Sequence, residues 1–201
     1  LSLNRRIGCI LITSMDFYQD LAAGLAARRV VEIKDPEATA CAVLVPMITS
    51  ASGRHELVYT LRSEDVPNHR GQVSFPGGKA SPGDHDLLET ALRETREEIG
   101  LDTEGVEILG RLDDVPTYAE GFLITPYVAA LPAGSVFTPN PREVSALFTV
   151  DIEHLLDPAN RSVEMTEWEG EQHELHSITA GEHTIWGATH RITLDLLACL
   201  D

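Results

Sequence analysis

Hydrophobic and polar residues recur along this chain with two different periods, and each period predicts a different kind of element. Apolar residues return at helical spacing over 16–32, over an acidic segment that ends at Gly100, and over 190–200. Short apolar and β-branched runs bounded by turn residues are typical of strands. They predict strands at 39–48, 55–63, 106–115, 122–131, 143–150, 162–168 and 183–189, with a short helix near 151–157 and an irregular segment at 76–84.

The predicted strands are separated by few helices, which favours an α+β layered domain over a doubly wound sheet. The chain has 201 residues, of which 43% are hydrophobic, enough to bury the core of one domain. We expect residues 1–14 to be an N-terminal extension of native or vector origin. Residues 15–201 are then expected to form a single domain.

Charge and cysteine usage narrow the range of partners. The formal net charge of −17 disfavours binding to nucleic acid or to an anionic membrane, and no apolar run reaches the ~18 residues that a transmembrane helix needs. Cys9, Cys41 and Cys199 lie far apart and indicate buried thiols in a reducing compartment. We therefore expect a cytoplasmic protein that acts on a small molecule, and the oligomeric state is left open.

The acidic helix concentrates three carboxylates on neighbouring positions. Glu94, Glu97 and Glu98 stand at i, i+3 and i+4, where Cβ atoms lie about 5–6 Å apart and like charges repel. One interpretation is a solvated charged face on which Arg93 pairs with Glu97. The other is a binding site for a hard divalent cation such as Mg²⁺. An inward-facing stripe is expected on the opposite side of the helix, at Leu88, Leu92, Thr95 and Ile99.

The sequence around this helix resembles the Nudix box, R-E-U-x-E-E-x-G-U preceded by a glycine loop. The residues "RETREEIGL" at 93–101 match its end, with Thr95 in the aliphatic slot, and "FPGGK" precedes the helix. Counting from Gly78, Asp84 stands where the usual box has glutamate, and Arg93 comes one residue later than usual. The resemblance implies an α/β/α sandwich with a mixed sheet and a loop-helix-loop catalytic motif.

The segment "VYTLRSEDVPNHRGQVSFPGG" at 58–78 is similar to the added motif of one Nudix branch, the coenzyme A pyrophosphatases. Val58 and Tyr59 stand where two leucines are usual, and Pro67 replaces the second arginine of the motif. The resemblance implies hydrolysis of the pyrophosphate of coenzyme A or its derivatives to 3′,5′-ADP and 4′-phosphopantetheine. Two alternatives remain: hydrolysis of another nucleotide such as NADH, ADP-ribose or a dNTP, and a nucleotide-binding domain without activity.

The same resemblance implies roles for individual residues. Mg²⁺ or Mn²⁺ would be bound by Glu94, Glu97 and Glu98, with Arg93 orienting a glutamate. Glu143 would supply a further carboxylate from outside the box, or it is an exposed acid that begins a strand. Arg62 would contact a phosphate, or it pairs with a nearby acid. The remaining residues expected to bind substrate are Ser63, Gly77, Gly78 and Lys79.

Overall fold

A computed structural model of the protein describes residues 14–64, 70–117, 121–168 and 170–200. Most of the expected N-terminal extension and Pro67 lie outside these ranges. The helices are α1 (Ser14–Ala27), α2 (Leu87–Ile99), α3 (Ile152–Leu156) and α4 (Gly187–Leu197), with a 3₁₀ turn at Pro158–Asn160. The strands are β1 (Thr39–Thr49), β2 (His55–Arg62), β3 (Val73–Ser74), β4 (Gly77–Lys79), β5 (Glu107–Arg111), β6 (Val115–Pro116), β7 (Phe122–Ala130), β8 (Val144–Asp151), β9 (Arg161–Trp168), β10 (Glu171–Ala180) and β11 (His183–Trp186).

Eight strands form a mixed sheet whose central path runs β3-β2-β1-β7-β5. β1 and β7 pair in parallel from Thr39 opposite Phe122 to Met47 opposite Ala130, whereas the other pairs are antiparallel. β4 pairs with β1, β6 with β7 and β8 with β2. Parallel strands are usually covered on both faces, so helices are needed on both sides of this centre.

Alternate residues of the central strands pack against opposite layers. Val45 and Met47 of β1 belong to a cluster that includes residues of α1 and α4, such as Leu25 and Leu196. Leu44, their neighbour in β1, lies instead in a cluster with Ala91 of α2. This alternation produces an α/β/α sandwich with a mixed sheet, which confirms the predicted fold class. None of the helices in the described ranges is long and apolar enough to cross a membrane.

Three predicted boundaries are wrong, and two of them share a local cause. Helix α1 ends at Ala27 because the segment after it runs extended: Val31 donates its N–H to Asp113 and Ile33 to Asp114, at 2.9 Å each. The strand predicted at 106–115 is interrupted where these two aspartates bind the extended segment. The strand predicted at 183–189 stops at Trp186, and the last helix begins at Gly187 instead of at residue 190.

Three strands were not predicted: the two-residue β3, β10 and β4. β10 joins β9 and β11 in a separate three-stranded sheet, but its first half, "EQHELH", is polar and charged because it is exposed. β4 lies within the segment that was predicted to be irregular. Its glycines allow it to pair closely with β1, with Gly77 opposite Val43.

Candidate active site on helix α2

Helix α2 has a defined cap at each end. The Asp86 carboxylate accepts a 2.8 Å hydrogen bond from the Glu89 N–H, an interaction that stabilises a helix by about 1 kcal/mol. Gly100 adopts a left-handed conformation, with φ of 62°, and its N–H donates to the Arg96 carbonyl. Both caps confirm the prediction that the acidic segment is a helix ending at Gly100. They fix the directions in which its carboxylates project.

The buried face of α2 differs from the predicted stripe. The buried residues are Thr90, Ala91, Thr95, Glu98 and Ile99. Leu88 and Leu92 are only half-buried. Glu98 therefore lies on the face that packs towards the sheet, rather than on a solvated face, and only 3% of its surface is exposed.

Glu98 is a buried carboxylate with few compensating donors. Its Oε2 accepts the Gly77 N–H at 3.1 Å, and its Oε1 lies 3.5 Å from Nη1 of Arg62. Burial raises the pKa of Glu98 to about 7, against the opposing effects of these two partners, and the nearby charges of Glu94 and Glu143 raise it further. A cation beside this carboxylate would offset the cost of its burial.

Glu94 lies against the glycine loop. A Cβ atom added to Gly78 would meet the Glu94 carboxylate at 2.6–2.8 Å, so this approach requires glycine. Oε1 of Glu94 accepts a 2.7 Å bond from Nη1 of Arg93. Burial raises the pKa of Glu94, Arg93 opposes the shift, and the charges of Glu97 and Glu143 add to it.

Arg93 organises the acidic residues around it. It binds Asp84 through two contacts, Nε to Oδ1 at 2.8 Å and Nη2 to Oδ2 at 3.0 Å. It also contacts Glu97 at 3.3 Å and the carbonyl of Lys79 at 3.1 Å. The guanidinium holds the pKa of Asp84 well below its usual range. Arg93 thus pairs with Glu97 as predicted, and it also ties the glycine loop to the helix.

Glu143 lies directly before strand β8, which begins at Val144. Its side chain accepts a 2.8 Å hydrogen bond from Nδ2 of Asn140, and the Asn140 N–H donates to the carbonyl of Glu98 at 2.8 Å. The charge of Glu143 raises the pKa of both Glu94 and Glu98. The loop from Asn140 to Glu143 is therefore held against the C-terminal end of α2, near its carboxylates.

The residues expected to bind substrate fall into two groups. Arg62, Gly77 and Gly78 adjoin the carboxylates of α2, whereas Lys79 is exposed and its Nζ lies 4.8 Å from the centroid of the Phe122 ring. Ser63 is buried, and its N–H donates to the carbonyl of Glu143 at 2.8 Å. Ser63 thus helps to place the Glu143 loop, since its backbone is one of the points to which that loop is tied.

The described residues contain no group of three His, Cys, Asp or Glu side chains already arranged to hold a metal ion. Glu94 and Glu97 point to Arg93, and Glu98 points to Arg62 and Gly77. The donor set nevertheless fits a hard divalent cation, because it consists of carboxylate oxygens and includes the poorly compensated Glu98.

These features define a class of protein. An α/β/α sandwich whose glycine loop and acidic helix gather carboxylates beside a mixed sheet is the fold of a Nudix-type hydrolase. The family model described as "NUDIX domain" matches residues 39–169, and the chain belongs to this family. Nudix hydrolases generally use divalent metal ions such as Mg²⁺ or Mn²⁺.

Relatives and solved structures agree with this assignment. The chain is 36% identical to an "Uncharacterized Nudix hydrolase NudL" of Photorhabdus laumondii over 151 residues, which cover 75% of this chain and 79% of that protein. A protein of the same description from Yersinia pestis is 35% identical and covers 75% and 74%. A MutT/nudix family protein from Enterococcus faecalis shares the fold at a TM-score of 0.55 and 14% identity, over 85% of this chain and 64% of that one. The chain is a Nudix pyrophosphohydrolase.

Sequence reasoning missed two contributors to this site. Asp84 was compared with the first acid of the box, but its bond to Arg93 was not inferred, although both residues occupy box positions. Asn140 has no motif to mark it, since its hydrogen bonds to Glu98 and Glu143 depend on the tertiary fold. The extra residue of the box lies between Gly78 and Arg93, a span that includes the turns before α2 begins at Leu87.

Proposed function

We propose that this enzyme hydrolyses the pyrophosphate of coenzyme A or its derivatives, giving 3′,5′-ADP and 4′-phosphopantetheine. The observation that supports this proposal most strongly is the contact of Arg62 with Glu98, 3.5 Å from Nη1 to Oε1. Arg62 belongs to the segment at 58–78 that resembles the coenzyme A branch, and Glu98 belongs to the box. The segment at 58–78 therefore contacts the box through an arginine, a residue type that commonly binds phosphate.

Glu94, Glu97 and Glu98 would hold Mg²⁺ or Mn²⁺ in the proposed mechanism. When bound, the cation supplies charge neutralisation of the diphosphate and lowers the pKa of water. Arg93 keeps Glu94 and Glu97 in place from one side, through contacts of 2.7 and 3.3 Å. Asp84 in turn holds Arg93 beside these carboxylates, through contacts of 2.8 and 3.0 Å.

Glu143 is the proposed general base, because it stands outside the helix while its charge acts on both Glu94 and Glu98. Its carboxylate would take a proton from the water that attacks one phosphorus atom. The bridging P–O bond then breaks, and its electron pair leaves with the departing phosphate oxygen. The Asn140 amide, 2.8 Å from Oε1 of Glu143, would orient this carboxylate.

Arg62 would turn from Glu98 to the substrate diphosphate. Nε of Arg62 is buried and has no hydrogen-bond partner among the residues that the structure describes. A guanidinium with an unused donor is suited to bind phosphate oxygens through two parallel hydrogen bonds. The proposed role of Arg62 is therefore to neutralise the diphosphate beside Glu98.

A second candidate substrate class is another nucleoside diphosphate derivative, such as NADH or ADP-ribose. The observation that favours it is Pro67, which replaces the second arginine of the coenzyme A motif and removes one possible anion contact. Both classes would use the same carboxylates of α2. They differ only in which group is bound beyond the diphosphate.

A substrate panel tests the proposal. The enzyme is assayed with Mg²⁺ and with Mn²⁺ on coenzyme A, acetyl-coenzyme A, NADH, ADP-ribose and dNTPs, and the products are separated by chromatography. The proposal predicts the highest kcat/KM for coenzyme A or its thioester, with 3′,5′-ADP as one product. A higher kcat/KM for NADH or ADP-ribose would overturn it in favour of the second class.

A further inference from the structure

β9 and β10 form a two-stranded ribbon that projects beyond the core. Residues 161–167 are all exposed, and residues 171–176 of β10 are exposed or half-buried, so that β10 first becomes buried at Ser177. A two-stranded ribbon with both faces in water is marginally stable on its own. A further strand, or a protein surface packed against it, would therefore stabilise this ribbon.

The outer edge of β9 is open to such an addition. In the three-stranded sheet β9 pairs only with β10, and within the described ranges no strand lies along its other edge. Val163 and Met165 project from one face of this strand and are 55% and 62% exposed. An open edge that carries apolar residues is a template for pairing with another chain.

We propose that β9 pairs antiparallel with β9 of a second copy of this protein, about a two-fold axis at Glu164. In this register Arg161 lies opposite Glu167 of the second copy, and Val163 lies opposite Met165. On the other face Ser162 lies opposite Thr166. The symmetry repeats each of these pairs, so that the three-stranded sheets of the two copies join as one six-stranded sheet, β11-β10-β9-β9-β10-β11.

The charge pattern of β9 favours this register over its neighbours. Moving the two-fold axis by one residue along β9 shifts the pairing register by two residues. A register shift of one residue is excluded, because it would turn the side chains to the other face of the sheet. With the axis at Val163, Arg161 would face Met165 instead of an acid. With the axis at Met165, Val163 would face Glu167. Only the axis at Glu164 pairs opposite charges and apolar side chains together, and its single unfavourable pair is Glu164 with its own copy.

The expected dimer is reversible. A strand pair of about seven residues buries less than the roughly 800 Å² per partner of a standard interface. The net charge of −17 on each copy also opposes association at low ionic strength. We therefore expect a dissociation constant in the micromolar range at physiological salt.

Charge reversal tests the register. Sedimentation equilibrium of the full chain, from low to several hundred micromolar, is expected to show a monomer–dimer equilibrium. Because two charge pairs per dimer become repulsive, the Arg161→Glu variant should weaken association by about tenfold or more, and Glu167→Arg should do the same. The double variant, Arg161→Glu with Glu167→Arg, restores both pairs and should restore most of the affinity.

A cross-link provides a readout that does not depend on affinity. Directly opposed residues of antiparallel strands have Cα atoms about 4.5–5.5 Å apart, within the range of a disulfide. The Glu164→Cys variant should therefore form a disulfide-linked dimer under mild oxidation. The Thr166→Cys variant is the matched control, because Thr166 and its copy would lie roughly 13 Å apart. The parent protein controls for the native thiols.

Circular dichroism of each variant checks that the chain is folded. A protein that stays monomeric at every concentration would overturn the proposal. So would a dimer whose affinity is unchanged by Arg161→Glu, or cross-linking that is as efficient at residue 166 as at residue 164. Turnover measured at nanomolar enzyme should be equal in all variants, since β9 contributes none of the carboxylates of α2.

Discussion

The guanidinium of Arg62 lies 3.5 Å from the carboxylate of Glu98, and the two residues are 36 positions apart in the chain. Arg62 ends strand β2, and Glu98 is on the buried face of α2. The ion pair therefore joins the segment that resembles the coenzyme A branch to the box that defines the family. Among the residues that the structure describes, Arg62 is the one cation in contact with the Glu98 carboxylate.

Replacing Glu98 by glutamine should abolish most activity while the fold is kept. Glutamine preserves the shape and can still accept the Gly77 N–H, but it lacks the charge that a divalent cation needs. We expect kcat to fall by about 100-fold or more. The exposed Glu107→Gln variant on β5 is the control for loss of a negative charge. Near-normal turnover of a folded Glu98→Gln protein would rule out the proposed role of this residue.

Gly78→Ala should impair the site through Glu94. The new Cβ would lie 2.6–2.8 Å from the Glu94 carboxylate, so that this side chain must move. We expect kcat to fall by about tenfold or more, since a displacement of an ångström at a catalytic group has effects of this order. Gly83→Ala, in the loop between β4 and α2, is the matched control, because no atom lies within 4 Å of its added Cβ. Equal activity of the two variants would contradict the proposed position of Glu94.

Arg62→Ala should lower kcat/KM by about ten- to a hundred-fold, the effect of losing one charge-assisted contact. Because Arg62 lies beside Glu98, we expect the loss to be equal on coenzyme A and on 3′-dephospho-coenzyme A. The two substrates differ only in the 3′-phosphate. A loss confined to coenzyme A would mean that Arg62 binds the 3′-phosphate rather than the diphosphate.

The stability of the metal-free protein should depend on pH through Glu98. Burial raises its pKa from the ordinary value of 4.5 to about 7 in the folded state. A raised pKa means that the contribution of Glu98 to the free energy of unfolding is fully present below pH 4.5 and is lost as the pH rises to 7. In the presence of chelator, the wild type should therefore lose stability over this interval relative to Glu98→Gln.

Urea unfolding of both proteins at a series of pH values measures this difference. Parallel stability curves between pH 4.5 and 7 would show that the Glu98 carboxylate is ionised in the fold without penalty. Added Mg²⁺ should reduce the difference, because a cation bound to the folded state favours the ionised carboxylate.

The sequence was sufficient for the fold and for the helix that carries the site. Helical spacing and Gly100 located α2, and the box identified Glu94, Glu97 and Glu98 as a group. The burial of Glu98 could not be inferred, because an acidic residue at this position reads as solvated until β4 and Arg62 are placed beside it. β10 was missed because its exposed half has the polar composition of a loop. That half is a strand because it pairs with β9.

The central pairing of β1 with β7 has a consequence for the order of folding. It joins Thr39 to Phe122, and all of β4 and α2 lies in the connection between them. Contacts that close such long segments form slowly, because the entropy of loop closure must be overcome before they contribute. During synthesis the glycine loop and the acidic helix leave the ribosome well before β7. β4 pairs with β1, and Ala91 of α2 packs against Leu44 of β1, so the partners that hold this part of the site in place also leave the ribosome before β7.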